Sequence, residues 1–367
     1  MKICIIVGAR PNFMKVAPLI HAIDKAKQNG EDIECSLVYA GNENDSTLEQ
    51  SLFDNMQINR PDTYLGVDCT NLNELTGRVM AEFDSYLNRN YTDVVIVVDD
   101  LASTMAAAIV TKKHGISLAH LVAGTRSFDI KMPKEINRLV IDGLSDYLFT
   151  AGMGSNSIVS REGAELSHVY EVGNILMDTI RFNHKRFSKP GAFDRLNLEE
   201  GQYIVFTLNR KALIGNTDNL RSMLNAMNEK ANGKPIVAVL RNEAKKTVES
   251  LSSNMADFHI IDPLPYLEFG YLTAHALGVI TDSGNVAEEA TFNNVPCITL
   301  NSYTEHIETV KVGSNVLVGE DAKKLAAAVE DMVGHNWKKS SLPDRWDGRT
   351  AERIVHILQE TTKQASK

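Results

Sequence analysis

Two adjacent carboxylates are the first side chains in this sequence that could do chemistry. Asp99 and Asp100 follow the apolar run VVIVV and precede the helical pattern LASTMAAA. One of them could act as a general base while the other caps the helix, or both could simply cap it. Taken alone, the spacing favours the cap.

A second concentration of charge lies in residues 121–138, LVAGTRSFDIKMPKEINR. The apolar run before it predicts a buried strand, and a charged loop at the carboxyl end of such a strand is typical of a substrate pocket. Lys134, Glu135 and Arg138 are its candidate functional groups, but Val122 stands where a polar residue is expected. These residues alone leave open whether this is a working active site or its scaffold.

Basic residues follow the first apolar run, in VGARPNFMK. Gly8 allows a tight turn, Pro11 favours the start of a helix, and Arg10 and Lys15 could meet a phosphate near that helix N-terminus. The alternative is an ordinary strand-to-helix turn with a solvated arginine and lysine. The residues do not separate the two interpretations.

The segment VITDSGNVAEEA is a stronger signal for an anionic ligand. Ser283 and Gly284 follow a predicted buried strand and open a helix, so they could offer a hydroxyl and unhindered backbone N–H groups to a diphosphate. Glu289 lies one to two turns into that helix, where a carboxylate could reach ribose hydroxyls. The alternative is a serine N-cap with acidic residues that complement the helix dipole. His306, in YTEHIET, could face the same site.

Other common chemistries lack their signatures. The chain contains neither GxGxxG nor GxxxxGK[ST], which argues against a dinucleotide fingerprint and a Walker loop. Its ten histidines form no HxxxH pair with an acidic partner, so we predict no metal site. Its four cysteines are scattered and are typical of reduced core residues. We therefore expect no cofactor.

Composition places the chain among globular proteins. With 367 residues, 43% hydrophobic and 23% charged, it is long enough for two domains. The net charge of -9 provides no basic surface for a nucleic acid partner. The N-terminal apolar run is too short for a signal peptide, and no stretch approaches the ~18 apolar residues of a membrane span. We expect a cytoplasmic protein without a membrane partner.

Apolar runs alternate with amphipathic segments along most of the chain, which predicts an α/β protein with parallel sheets covered on both faces. The alternation breaks in a polar stretch that contains a Pro-Gly pair and then restarts. We predict two Rossmann-like, doubly wound domains that face a cleft. The expected limits are an N-terminal domain at 1–178, a connection at 179–201, a C-terminal nucleotide-binding domain at 202–345, and a last helix at 346–367.

Several motifs resemble one family in their order and spacing. GARPNFMKVAPL, AGTRSFD, MPKEINR, VGNILMD, ITDSGNVAEEA, TEHIE and VGSNVLVG resemble the motifs of the non-hydrolysing UDP-N-acetylglucosamine 2-epimerases, over residues 3 to about 358. The resemblance implies a glycosyltransferase-B-like fold, in which the last helix, 346–367, crosses back to the first domain, and it implies a homodimer. It also implies the interconversion of UDP-GlcNAc and UDP-ManNAc for surface polysaccharides, by removal of the C2 proton, elimination of UDP and re-addition.

The resemblance also assigns roles to individual residues. Asp100 matches a carboxylate at a strand end, and Glu135 matches the family's PEExNR, so both are candidate catalytic residues. The expected substrate-binding residues are Arg10, Lys15, Arg138, Arg210, Ser283, Gly284, Glu288, Glu289 and His306.

The chain departs from the family pattern at positions tied to proton transfer. The family has a carboxylate where this chain has Val122, another where it has Lys134, and a histidine where it has Asn209. It typically has glycine at the position of Asp99. Valine and asparagine cannot exchange protons near neutral pH, and lysine is a cation there.

We therefore expect UDP-sugar binding without efficient epimerisation. An alternative is a slow epimerase that uses Asp100 and Glu135. Another is an inactive paralogue that regulates or partners an active enzyme. A glycosyltransferase-like or hydrolysing variant of the same fold also stays open.

Overall fold

The alternation of apolar runs and amphipathic segments builds two parallel sheets, one in each of two units. The computed structural model describes residues 1–165 and 168–365. Unit 1 comprises residues 1–182 and the chain from 344 onward, and unit 2 comprises residues 183–343. The predicted fold of two parallel-sheet α/β domains is confirmed.

In the described residues, the sheet of unit 1 has seven parallel strands in the order β3-β2-β1-β4-β5-β6-β7. They are β1 (Lys2–Val7), β2 (Glu34–Tyr39), β3 (Thr63–Tyr64), β4 (Val94–Val98), β5 (Ser117–Ala123), β6 (Tyr147–Thr150) and β7 (Val169–Glu171). The helices between and after them are α1 (Arg10–Gln28), α2 (Gln50–Met56), α3 (Leu72–Arg89), α4 (Ala102–Lys113), α5 (Pro133–Leu144), α6 (Met153–Arg161) and α7 (Ile175–Asn183). The strand order reverses between β1 and β4, which is where open α/β sheets bind their ligands.

Unit 2 repeats the arrangement with six parallel strands, in the order β10-β9-β8-β11-β12-β13. They are β8 (Ile204–Phe206), β9 (Ile236–Val239), β10 (Phe258–Ile261), β11 (Gly278–Thr281), β12 (Cys297–Thr299) and β13 (Asn315–Leu317). A 3-10 turn, His184–Arg186, precedes its helices, which are α8 (Gly191–Arg195), α9 (Lys211–Gly215), α10 (Thr217–Lys230), α11 (Asn242–Leu251), α12 (Tyr266–Ala274), α13 (Gly284–Phe292), α14 (Glu308–Lys311) and α15 (Ala322–Val333). Here the order reverses between β8 and β11.

Both faces of the second sheet are buried. Ile204 and Phe206 pack into one apolar cluster, whereas Tyr203 and Val205 pack into another. Successive side chains of a strand point to opposite faces, so each apolar run supplies both cores. This explains why these strands have continuous rather than alternating apolar sequences.

A side chain caps the start of α10, which begins at Thr217 and ends at Lys230. The side chain of Asn216 accepts a hydrogen bond from the backbone N–H of Asn219 at 3.3 Å and so stabilises the first turn of the helix.

The last helix, α16 (Thr350–Ala365), belongs to unit 1, where it packs on α1. The carboxylate of Asp178 accepts hydrogen bonds from the backbone N–H groups of Thr350 at 3.0 Å and Ala351 at 2.8 Å. These donors have no partner within the helix, so Asp178 caps α16. Burial, despite these hydrogen bonds, raises the pKa of Asp178 to about 6.

The predicted connection, 179–201, is largely helical. It includes the end of α7, the 3-10 turn and α8, and the chain enters unit 2 at Asn183. In the described residues, no helix has both the length and the apolar character that a membrane span requires.

Candidate functional site

Left-handed backbone follows β4 directly and interrupts β5 one residue before its end. Asp99 has φ 58° and Val122 has φ 71°, and the pairing of β5 with β6 shifts register at Val122. Aspartate tolerates this region, but for a β-branched residue such as valine it is strained. The chain is therefore bent at both positions, although valine disfavours the backbone conformation that the bend at residue 122 requires.

The aspartate at the end of β4 contacts the first loop. A carboxylate oxygen of Asp99 lies 2.7 Å from the Lys15 ammonium, and the other accepts a hydrogen bond from the Asn12 amide at 2.8 Å. The Asn12 side-chain oxygen in turn accepts from the N–H groups of Gly8 at 3.0 Å and Ala9 at 3.1 Å. In the loop predicted to meet a phosphate, two backbone N–H groups are therefore already bound to the Asn12 side chain.

Asp100 is buried between two cations. Its carboxylate lies 3.1 Å from the Lys134 ammonium and 2.7 Å from the Arg138 guanidinium, and its backbone carbonyl accepts a hydrogen bond from Asn137 at 2.8 Å. All three partners lie on one face of α5, at helical spacing. Burial opposes ionisation of Asp100, but the charges of Lys134 and Arg138 outweigh it and lower the pKa of this carboxyl.

Glu135, the other candidate base, holds the loop that precedes α5. Its buried carboxylate accepts hydrogen bonds at 2.9 Å from the backbone N–H and hydroxyl of Ser127 and from the N–H of Phe128. Arg138 adds a contact at 3.2 Å. Burial would raise the pKa of Glu135, but these hydrogen bonds and the charge of Arg138 lower it.

A buried network next to these groups was missed by the sequence reasoning. The His120 ring lies with Nδ1 2.6 Å from Asp142 and Nε2 3.0 Å from the Asp99 carbonyl. The Arg126 guanidinium lies 2.8 Å from Asp142 and 2.5 Å from Glu162. A histidine within the apolar strand SLAHLVAG was the only available signal. The network fixes the carbonyl of Asp99 and therefore the bend at the end of β4.

The helix-cap alternatives have different outcomes in the two units. The N-cap of α4 is Leu101, and Asp99 and Asp100 pair with cations, so the capping alternative is wrong for both aspartates. Ser283 does occupy the N-cap position of α13, although its hydroxyl makes no capping hydrogen bond.

In unit 2, an aspartate links the strand ends on either side of the strand-order reversal. Asp282 follows β11, and its carboxylate accepts hydrogen bonds from the backbone N–H groups of Asn209 at 2.7 Å and Arg210 at 2.6 Å, which follow β8. Its backbone carbonyl accepts from the Asn301 amide at 3.1 Å. This arrangement holds the N-terminus of α13 in place. The Arg210 guanidinium contacts Glu320 at 2.7 Å.

A cavity of about 270 Å³ opens at the N-terminus of α13. It is polar, and its lining includes Ser283, Gly284, Asn285, Glu288, Asn301, Glu305 and His306. The helix dipole and the terminal N–H groups favour an anion at such a position. Four predicted binding residues are thus brought together around one cavity.

The two adjacent glutamates of α13 differ in their surroundings. Glu288 lines the cavity, and its carboxylate lies 3.6 Å from Nε2 of His306. Glu289 is buried, and burial together with the charge of Glu288 raises the pKa of its carboxyl to about 8. Burial beside Glu289 also raises the pKa of Tyr266. Both glutamates are buried, but Glu288 contributes to the cavity lining and Glu289 does not. The ribose contact expected of Glu289 stays a prediction.

The predicted site residues thus form groups within each unit. Lys15 joins Asp99, while Glu135 and Arg138 join Asp100. Arg10 is exposed at the start of α1. In the described residues, no group of three or more histidine, cysteine, aspartate or glutamate side chains could hold a metal ion. The functional roles of all these residues stay predictions.

Comparison with known proteins places the chain among nucleotide-sugar epimerases. Residues 25–359 match the family model described as UDP-N-acetylglucosamine 2-epimerase. A protein of that name from Methanocaldococcus jannaschii is 34% identical over 98% of this chain and 99% of its own length. A UDP-2,3-diacetamido-2,3-dideoxy-D-glucuronate 2-epimerase from Pseudomonas aeruginosa is 32% identical over 91% of this chain and 93% of its own.

A solved structure agrees with the sequence comparison. The M. jannaschii UDP-GlcNAc 2-epimerase in complex with UDP-GlcNAc and UDP has a TM-score of 0.82 and 33% identity. The match covers 98% of this chain and all of that one. The glycosyltransferase-B-like character predicted for the fold is confirmed by this match.

Proposed function

Because this chain belongs to the UDP-N-acetylglucosamine 2-epimerase family, we propose that it binds a UDP-sugar at the N-terminus of α13 but does not epimerise it efficiently. The observation that supports the lack of efficient epimerisation is the pairing of Asp100 with two cations. One of those cations is Lys134, at a position where the family pattern has a carboxylate.

The first half of the proposal is supported by the chemistry of the cavity. The N–H groups at the start of α13 and the Ser283 hydroxyl suit a diphosphate. The carboxylate of Glu288 suits ribose hydroxyls, which donate hydrogen bonds. Gly284 leaves space there, since a Cβ added to it would meet only Glu288, at 3.9 Å.

The second half follows from the demands of the reaction. Removal of the C2 proton needs a positioned base, whose contribution is typically ~10² to 10⁴-fold. Val122 has no proton-accepting atom, and the remaining carboxylates, Asp100 and Glu135, are already bound by cations and hydrogen-bond donors that lower their pKa. A carboxylate so stabilised is a weaker base.

Binding can be tested with two alanine variants in unit 2. Gly284→Ala introduces a methyl group that the fold accepts but that crowds a phosphate at the helix N-terminus. Gly215→Ala is the matched control, because a Cβ there meets nothing within 4 Å and lies away from the cavity lining. Calorimetry with UDP should show binding to the wild type and Gly215→Ala, and at least ten-fold weaker binding to Gly284→Ala. Equal affinities would refute the assignment.

The runner-up is a slow epimerase, which the 34% identity to a named epimerase favours. In that case purified protein would convert UDP-GlcNAc to UDP-ManNAc, as followed by chromatography, and Asp100→Asn would abolish the conversion. No conversion by the wild type would support the proposed binder.

The assembly and location expected from the sequence belong to the same proposal. We expect a homodimer in the cytoplasm. We also expect that the protein has a role connected with the synthesis of surface polysaccharide precursors. Light scattering on the purified protein should give twice the 40.6 kDa chain mass. A monomer at micromolar concentration would contradict the dimer.

A further inference from the structure

Asp99, at the end of β4, forms a largely buried ion pair with Lys15 of α1. Both oxygens of the Asp99 carboxylate have a partner. One lies 2.7 Å from the Lys15 ammonium, and the other accepts a hydrogen bond from the Asn12 amide at 2.8 Å. The Lys15 and Asp99 side chains are only 12% and 18% exposed. The pair is therefore shielded from the solvent screening that weakens most surface ion pairs.

The backbone of Asp99 is held as firmly as its side chain. Its carbonyl accepts a hydrogen bond from Nε2 of His120 at 3.0 Å, and that ring is fixed by Asp142. The left-handed φ of 58° directs the residue away from the strand and towards α1. Aspartate and asparagine are among the few non-glycine residues that accept this conformation.

The neighbours of the Asp99 carboxylate are the groups expected to attract a phosphate. Lys15 lies in the second turn of α1, and helix side chains lean towards the N-terminus, where the dipole favours negative charge. Asn12 lies in the first turn, and β1 precedes the helix at the reversal of strand order. An anion supplied by the chain itself fills this position.

We propose that Asp99 is a specificity-determining residue, an internal counter-ion for Lys15 that keeps ligand phosphates away from the first loop. This inference rests on the proposed UDP-sugar binding and deepens it, because it assigns phosphate recognition to the N-terminus of α13 and not to Lys15. A ligand phosphate that approached Lys15 would meet an ammonium whose charge Asp99 already balances, and it would be repelled by the carboxylate.

Asp99→Asn tests the inference because asparagine keeps the shape and tolerates the left-handed backbone. Asp146→Asn is the matched control, since Asp146 forms an equally short pair with Lys112, 2.7 Å, in the same unit. Asp146 lies at the opposite end of β5, where it accepts a hydrogen bond from the N–H of Leu118.

Calorimetric titration with inorganic pyrophosphate at fixed ionic strength supplies the readout. Asp99→Asn should bind pyrophosphate about ten-fold more tightly than the wild type, and Asp146→Asn should match the wild type within two-fold. When Lys15→Met is added, the gain from Asp99→Asn should fall below about three-fold. Equal gains in Asp99→Asn and Asp146→Asn, or a gain that persists without Lys15, would overturn the inference.

UDP as a second probe separates this inference from the proposed function. If the wild type binds UDP and Asp99→Asn binds neither UDP nor pyrophosphate more tightly, the inference fails while the proposed function stands. If no variant binds UDP but Asp99→Asn gains pyrophosphate affinity, the proposed function fails and the inference stands. Asp99→Gly, which relaxes the backbone at φ 58°, provides a second folded variant should the asparagine variant melt early.

Discussion

Replacing Glu289 by glutamine should change how the stability of unit 2 depends on pH. Burial and the neighbouring charge of Glu288 raise the pKa of Glu289 from its usual 4.5 to about 8. The folded protein therefore holds a proton that the unfolded chain releases above pH 4.5. The wild-type free energy of unfolding carries this contribution in full below pH 4.5 and loses it as pH rises towards 8.

The size of the effect follows from the two pKa values. Between pH 5 and pH 8 the wild type should lose ~3 kcal/mol relative to Glu289→Gln, because glutamine stays neutral throughout. Urea unfolding at both pH values, followed by tryptophan fluorescence, measures the difference. Glu229→Gln, at an exposed position of α10, is the control and should change nothing. Parallel pH dependences for the wild type and Glu289→Gln would refute a buried, protonated Glu289.

Three further predictions concern unit 1 and the missing proton-transfer groups. Glu135→Ala leaves two loop N–H groups without their acceptor and removes one of the two carboxylates that contact the buried Arg138 guanidinium, so unfolding should become ~3 kcal/mol easier in urea titrations, with Glu135→Gln in between. Asp178→Ala removes the cap of α16 and should cost ~1 to 2 kcal/mol, with faster proteolysis of the last helix; unchanged proteolysis would contradict the cap. A triple variant that combines Val122→Glu, Lys134→Glu and Asn209→His should form measurable UDP-ManNAc, detected by chromatography. A triple variant without activity would show that the scaffold has lost more than these side chains.

Much of the architecture could be predicted because it depends on local patterns. The apolar runs KICIIVG and VVIVV became β1 and β4, and the serine-glycine pair after β11 does open a helix. Both sheets follow from the alternation of strands and helices, since parallel strands need such crossovers.

The arrangement of charges could not be predicted in the same way. Lys134 and Asp100 are far apart in sequence, and only the parallel pairing of β4 with β5, followed by α5, brings them to 3.1 Å. The pairing of Lys15 with Asp99 depends on a left-handed residue at the end of β4, which no periodic pattern indicates. Val122 has φ 71°, a left-handed conformation that valine disfavours, so the backbone preference of valine predicts a negative φ at this position.

The central claim is that the chain holds a UDP-sugar without exchanging its C2 proton. Incubation of the purified protein with UDP-GlcNAc in deuterated water tests this directly, when the signal of the proton on C2 of the sugar is followed by NMR. We predict that UDP-GlcNAc protects the protein against thermal unfolding while the C2 proton signal of the sugar stays at full intensity. Deuterium at C2, or the appearance of UDP-ManNAc, would contradict it.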